Sequence, residues 1–111
     1  MAKEFEIYKN AIAVFLSGEL DQYAAAVLKN KIDIEVESSG KKNLIIDLSD
    51  VTFMDSSGIG LILGRCKMLS PLGGKVAVCG GNANVRKVIE LSGIEKIVQW
   101  FESSDEAAGK I

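Results

Sequence analysis

Ser56 and Ser57 stand between Asp55 and the glycines Gly58 and Gly60, shortly after the apolar segment Leu44-Ile45-Ile46-Asp47-Leu48. A strand, a brief polar turn and then an apolar run of helical character put one of these hydroxyls at a helix start. Backbone N–H groups there lack an intrahelical acceptor, and the macrodipole favours negative charge. The chemistry this position suits is the carrying of a phosphate. A plain helix cap at Asp55 or Ser56 is the local alternative, since Asp and Ser are favoured there and a lost cap costs about 1 kcal/mol. Capping does not account for Gly58 and Gly60, because glycine inside the first helical turns costs roughly 1 kcal/mol against alanine. Close approach by another backbone would, since removing side chains beside a serine leaves a flat, reachable surface.

Hydrolytic chemistry at Ser56 is poorly supplied. The chain contains no histidine, so a serine nucleophile would need Lys67 or Lys87 desolvated beside it. Gly58, Gly60 and Gly64 do not make a dinucleotide fingerprint, because Leu63 stands where its last glycine belongs, and no Lys-Ser or Lys-Thr follows a glycine-rich loop. Gly80-Gly81-Asn82 could cradle a phosphate or simply punctuate an α/β turn. Cys66 and Cys79 are the only cysteines and lack metal-ligand spacing, so both read as small buried apolar residues in a reducing compartment. No metal and no cofactor is expected.

Positioning the serine requires a strand before it and a helix after it. Leu44 to Leu48 is apolar nearly throughout, as a central strand covered on both faces should be. The following helix places Ile59, Ile62, Cys66 and Leu69 on one stripe and stops before Pro71 and Gly73-Gly74. Upstream, Phe5 and Ile7, then Ile12, Val14 and Leu16, alternate with other residues across Lys9-Asn10, which predicts an antiparallel hairpin. Asp21 can cap a helix whose Ala25, Leu28, Ile32 and Val36 recur at helical steps, ending near Ser38-Ser39-Gly40. Ile32 to Val36 also alternates like a strand, but the alanine run before it favours helix.

Downstream, Lys75 to Cys79 is a second buried strand, Asn82 caps a helix carrying Val85, Val88 and Ile89, and Ser92-Gly93 ends it. Ile97 to Phe101 then reads as a short strand and Ser103 to Lys110 as a final helix. Alternation of strand and helix after a hairpin implies right-handed parallel crossovers. The expected fold is a small α/β sandwich with a mixed sheet of four to five strands and about four helices, in one domain over residues 1–111.

Hydrophobic residues make up 48% of the 111 residues and charged residues 25%, a globular composition. Thirteen Lys and Arg against 15 Asp and Glu give a formal charge of -2, with no cationic footprint for nucleic acid. Apolar runs are too short to span a bilayer, and no signal peptide opens the chain. A soluble, cytoplasmic protein without a membrane partner is expected. Asp47 reads as a turn or cap acceptor, Arg65 as a surface pairing residue, and Trp100 and Phe101 as core and edge packing.

Leu48-Ser49-Asp50-Val51-Thr52-Phe53-Met54-Asp55-Ser56-Ser57-Gly58-Ile59-Gly60 closely resembles the signature of the STAS family. Gly18-Glu19-Leu20-Asp21, Ile62-Leu63-Gly64-Arg65 and the stretch from Val85 to Gly93 look like the bacterial anti-sigma factor antagonists, above all those directed at the sporulation anti-sigma-F factor. The likeness extends over essentially the whole chain. It implies a STAS-type fold and a non-enzymatic partner-switching role in transcription regulation. It further implies that an anti-sigma factor, itself an ATP-dependent serine kinase, binds the unmodified protein, releases its sigma factor and phosphorylates Ser56. Asp55, Ser57 and Gly58 would shape the acceptor turn, Asp21 and Gly60 would meet the partner, and a serine phosphatase would reset Ser56. Relatives imply a monomer when free. Gln22-Tyr23-Ala24 departs from a commoner His/Thr-containing stretch, which bears on partner preference. Alternative readings are a STAS scaffold or regulatory subunit in a stress-signalling or lipid-transport complex, and a weak nucleotide-binding protein.

Overall fold

Alternating side chains and a tight turn at Tyr8 to Ala11, where the Tyr8 N–H donates to the Ala11 carbonyl (2.7 Å), pair β1 (Ala2–Ile7) with β2 (Ala11–Leu20) antiparallel. The computed structural model describes residues 2–111. The chain continues through α1 (Gln22–Ser39), β3 (Asn43–Met54), α2 (Ser56–Leu69), β4 (Val76–Cys79), α3 (Ala83–Ser92), β5 (Gln99–Phe101) and α4 (Ser104–Lys110). Among the described residues the strands form one five-stranded sheet in the order β1-β2-β3-β4-β5, parallel from β2 onwards. Short 3-10 turns at Ser70–Leu72 and Ile94–Lys96, which the periodicity does not announce, follow α2 and α3.

Each face of the sheet has its own core. Ile12, Val14, Leu16, Leu44, Ile46, Leu48 and Val78 pack under α1, α2 and α3 through Leu28, Ile32, Ile62, Val85 and Ile89. Ala11, Ala13, Ile45, Ala77, Cys79 and Phe101 face the other way, under Ala107 of α4. Small side chains there suit a short covering helix. Tyr8 ties that helix to the hairpin by donating to Asp105 Oδ1 (2.7 Å), with Ser104 Oγ 3.1 Å away. Burial, with the Asp105 and Glu6 carboxylates adding and the Ser104 hydroxyl partly opposing, pushes the phenol up to about 12.

Several expectations need correction. The residues from Ser49 onward are not a turn: β3 runs on to Met54, with register shifts opposite Phe15 to Ser17 and Gly18 to Glu19. Bulges break the two-residue alternation and leave both Ser49 and Asp50 exposed, which mimics a turn in the sequence. Asp47 is indeed a local acceptor, taking the Ser49 N–H at 2.9 Å, but it is buried within the strand. In α1 the inward residue is Ala24, with Ala25 half-buried beside it. In α2 the buried stripe is Gly58, Leu61, Ile62, Arg65 and Leu69, while Ile59 and Cys66 flank it half-buried. Ile97 lies outside β5 and is exposed.

Candidate functional site

Leu20 and Met54 are register partners at the carboxyl ends of β2 and β3. The next residue of each strand is an aspartate in extended conformation that caps a helix. Asp21 accepts the Ala24 N–H at 2.9 Å, and Asp55 accepts the Ser57 N–H at 2.8 Å. Two helix N-termini, each with a carboxylate, therefore open side by side at one end of the sheet. Since Asp55 is the cap, the Ser56 side chain is not required for capping. Ser56 is the first residue of α2 and is exposed, whereas Ser57 is half-buried.

The two glycines of this turn have different causes. Gly58 is buried, its N–H donates to the Asp55 carbonyl (3.0 Å), and a Cβ there would overlap the Met54 side chain and press on Leu20. Its lack of a side chain lets α2 begin directly over the strand ends, so it does not contribute a flat outer surface. Gly60 is exposed and Gly64 half-buried, and a Cβ at either would meet nothing within 4 Å. Together with Ala25, Ala26, Lys29 and Arg65 they line a groove of about 320 Å³ between α1 and α2.

Arg65 departs from the expected surface role. It is 4% exposed, and its Nε lies 3.0 Å from Asp33 Oδ1 of α1. The sequence offers no signal for this pair, because its partners lie on different helices. Two exposed aromatics stand beside the caps: Tyr23, within the divergent Gln22-Tyr23-Ala24 stretch, is 72% exposed, and Phe53, which the sequence does not mark as a site residue, 47%. Phe53 follows the β3 bulges, where alternation no longer tells which side a residue takes.

The Gly80-Gly81-Asn82 turn has its polar groups engaged internally. Asn82 Oδ1 accepts the Val85 N–H (2.8 Å), its Nδ2 reaches the Val51 and Thr52 carbonyls (3.4 Å each), and Trp100 Nε1 donates to the Gly80 carbonyl (3.0 Å). Arg86 lies over the Trp100 ring, 3.7 Å from its centroid. Neither cysteine offers a thiolate. Burial raises both thiols, and the Asp47 carboxylate beside Cys79 raises that one further. Among the described residues no group of three or more His, Cys, Asp or Glu could hold a metal ion, and no helix is long and apolar enough to cross a membrane.

The profile of the STAS domain family matches residues 2–107. An anti-sigma F factor antagonist of Paenibacillus polymyxa is 34% identical over 104 residues, spanning 94% of this chain and 89% of that protein. Among solved structures, the anti-sigma factor antagonist SpoIIAA in its unphosphorylated form matches with a TM-score of 0.79 at 30% identity, over 94% of this chain and 90% of its own. The Bacillus cell fate determinant SpoIIAA in the phosphorylated form matches with a TM-score of 0.72 at 28% identity, over 96% of each chain.

Proposed function

The chain belongs to the STAS domain family, and from that membership and the exposed Ser56 hydroxyl we propose that it is an anti-sigma factor antagonist switched by phosphorylation of Ser56. The unmodified protein binds its anti-sigma factor, which thereby releases a sigma factor. The partner is an ATP-dependent serine kinase. Ser56 Oγ forms a bond to the γ-phosphorus of kinase-bound ATP as the bond to ADP breaks, and the hydroxyl proton passes to a base of the kinase. The observation that carries this reading is the division of labour at the turn: Asp55 caps α2, which leaves the Ser56 hydroxyl presented to solvent.

Phosphorylation adds about -1.5 to -2 charges at neutral pH. On a chain of formal charge -2 it roughly doubles the net charge, at a point flanked by the Asp21 and Asp55 carboxylates. The N-terminus of α2 offsets part of that concentration, so the fold tolerates it. A partner surface shaped for a neutral hydroxyl does not: desolvating the phosphate against it costs several kcal/mol, and about 1.4 kcal/mol is a tenfold loss of affinity. Gly60, open on its outer side, supports a docking surface that continues from Ser56 along α2.

In this reading residues 1–111 act as one STAS unit, cytoplasmic, monomeric when free and without catalysis of its own, and a serine phosphatase resets Ser56. An exposed hydroxyl in the Asp-Ser-Ser-Gly turn favours the sigma circuit over a scaffold role in a stress-signalling or lipid-transport complex. The internally engaged Gly80-Gly81-Asn82 turn disfavours nucleotide binding. Incubation with the anti-sigma kinase and ATP, followed by intact-mass measurement and site mapping, tests the proposal. Ser56→Ala should abolish labelling and keep affinity, while Ser56→Asp should bind poorly. Stoichiometric labelling of Ser56→Ala would overturn the assignment and move attention to Ser57.

A further inference from the structure

Asp21 caps α1 and Ser56 opens α2, so on the functional reading above, on which this inference rests, the two helices must present their first turns to one partner surface in a fixed relation. Close to those N-termini the core side is packed by Ala24, Leu28 and Leu61, but the outer side of the seam carries little side-chain volume. Ala25, Ala26, Gly60 and Gly64 line the outer seam beside Lys29 and the buried Leu61, the seam opens into the groove of about 320 Å³, and a Cβ at either glycine would touch nothing within 4 Å. Interdigitating side chains ordinarily stop packed helices from sliding or turning against each other. Here that interlock is thin on the side nearest the site.

Farther along the seam a largely buried charge pair takes its place. Arg65 Nε meets Asp33 Oδ1 at 3.0 Å, with the two side chains only 5% and 25% exposed, and Arg65 Nη2 lies 3.5 Å from Met68 Sδ. Arg65 stands roughly 13 Å along α2 from Ser56 at 1.5 Å rise per residue. Paired strand ends at Leu20 and Met54 hold the helices at one point, and the ion pair supplies a second. A buried ion pair adds little net stability over an apolar pair of similar volume, yet removal of one partner is felt strongly, and its geometry can select one arrangement among several.

We propose that Asp33 and Arg65 are a positioning pair: they set the register of α2 against α1, and so hold the Ser56 hydroxyl and the Asp21 turn in the relative placement that docking requires. Two variants test this, each measured well below its melting midpoint with the anti-sigma kinase as the binding partner. Asp33→Leu/Arg65→Met replaces the pair by apolar side chains and should melt at or above the wild-type temperature while binding about tenfold more weakly. Asp33→Asn keeps the shape, removes the charge and should weaken binding by about fivefold, which decides the matter if the double variant does not fold. A role in stability alone would leave the affinity of the folded protein untouched. Binding within twofold of wild type by the folded double variant, or by Asp33→Asn where only that variant folds, overturns the inference and leaves the functional reading standing. Wild-type protein that neither binds nor is labelled overturns both.

Discussion

Two strand-to-helix turns stand at the same end of the sheet, one after β3 and one after β4, and they use their polar groups in opposite ways. After β4, Asn82 caps α3 and also reaches back to the Val51 and Thr52 carbonyls, while Trp100 takes the Gly80 carbonyl and Arg86 covers the indole. After β3, one aspartate caps the helix and the neighbouring hydroxyl faces out. The glycine-rich turn is thus the structural one and the serine turn the available one. A doublet of glycines marks where the backbone must bend or pass close to another segment, whereas a site needs a polar group left over after the local hydrogen bonds are made.

That contrast breaks most completely if the hydroxyl can be moved. Ala83 is the first residue of α3, the counterpart of Ser56, and is exposed. In Ser56→Ala/Ala83→Ser, labelling by the kinase should fall to background in an intact-mass assay; full labelling at position 83 would erase the distinction between the turns. A smaller effect, on stability, is expected from Gly80→Ala. Gly80 has φ 71 and a Cβ there would overlap Ser49, so left-handed strain and overpacking together should cost about 2–4 kcal/mol in urea unfolding, with labelling of the folded protein unchanged. A loss below about 0.5 kcal/mol would show the β4 turn to be loosely held.

Gly60→Ala should have the smallest effect on the fold and the opposite sign. Gly60 lies within α2, is not among the glycines of positive φ, and has open space where a Cβ would go. Alanine should therefore stabilise the protein by up to about 1 kcal/mol, and at the same time weaken partner binding about tenfold by holding the docking surfaces apart. A stabilised variant that binds like wild type would exclude Gly60 from the interface.

Much of the scaffold could be read from local rules, because hairpin alternation, capping residues and glycine stops act within a few residues of one another. Asp21, Asp55, Asn82 and Ser103 all cap helices, Asp21 and Asn82 at positions anticipated from residue type and Asp55 as one of two candidates with Ser56. Reading failed where distant groups decided the outcome. Arg65 is buried because Asp33 waits on another helix, and Gly58 is glycine because Met54 and Leu20 lie beneath it. The length of β3 was hidden for a related reason: bulges against β2 remove the alternation by which a strand announces itself. At the site, the Asp-Ser-Ser-Gly word marks the proposed acceptor turn, but which residue caps and which is free needed the hydrogen bond from Ser57 to Asp55.

The chain has a single tryptophan, Trp100 in β5, whose indole N–H donates to the Gly80 carbonyl in the turn after β4. Its indole is clamped by the Gly80 carbonyl and the Arg86 guanidinium, so its emission follows the loosening of the β4–β5 edge. The proposed acceptor Ser56 opens α2 on the other turn and is not among the groups of that clamp. The protein therefore carries a native fluorophore at that edge, and its melting can be followed without an added dye.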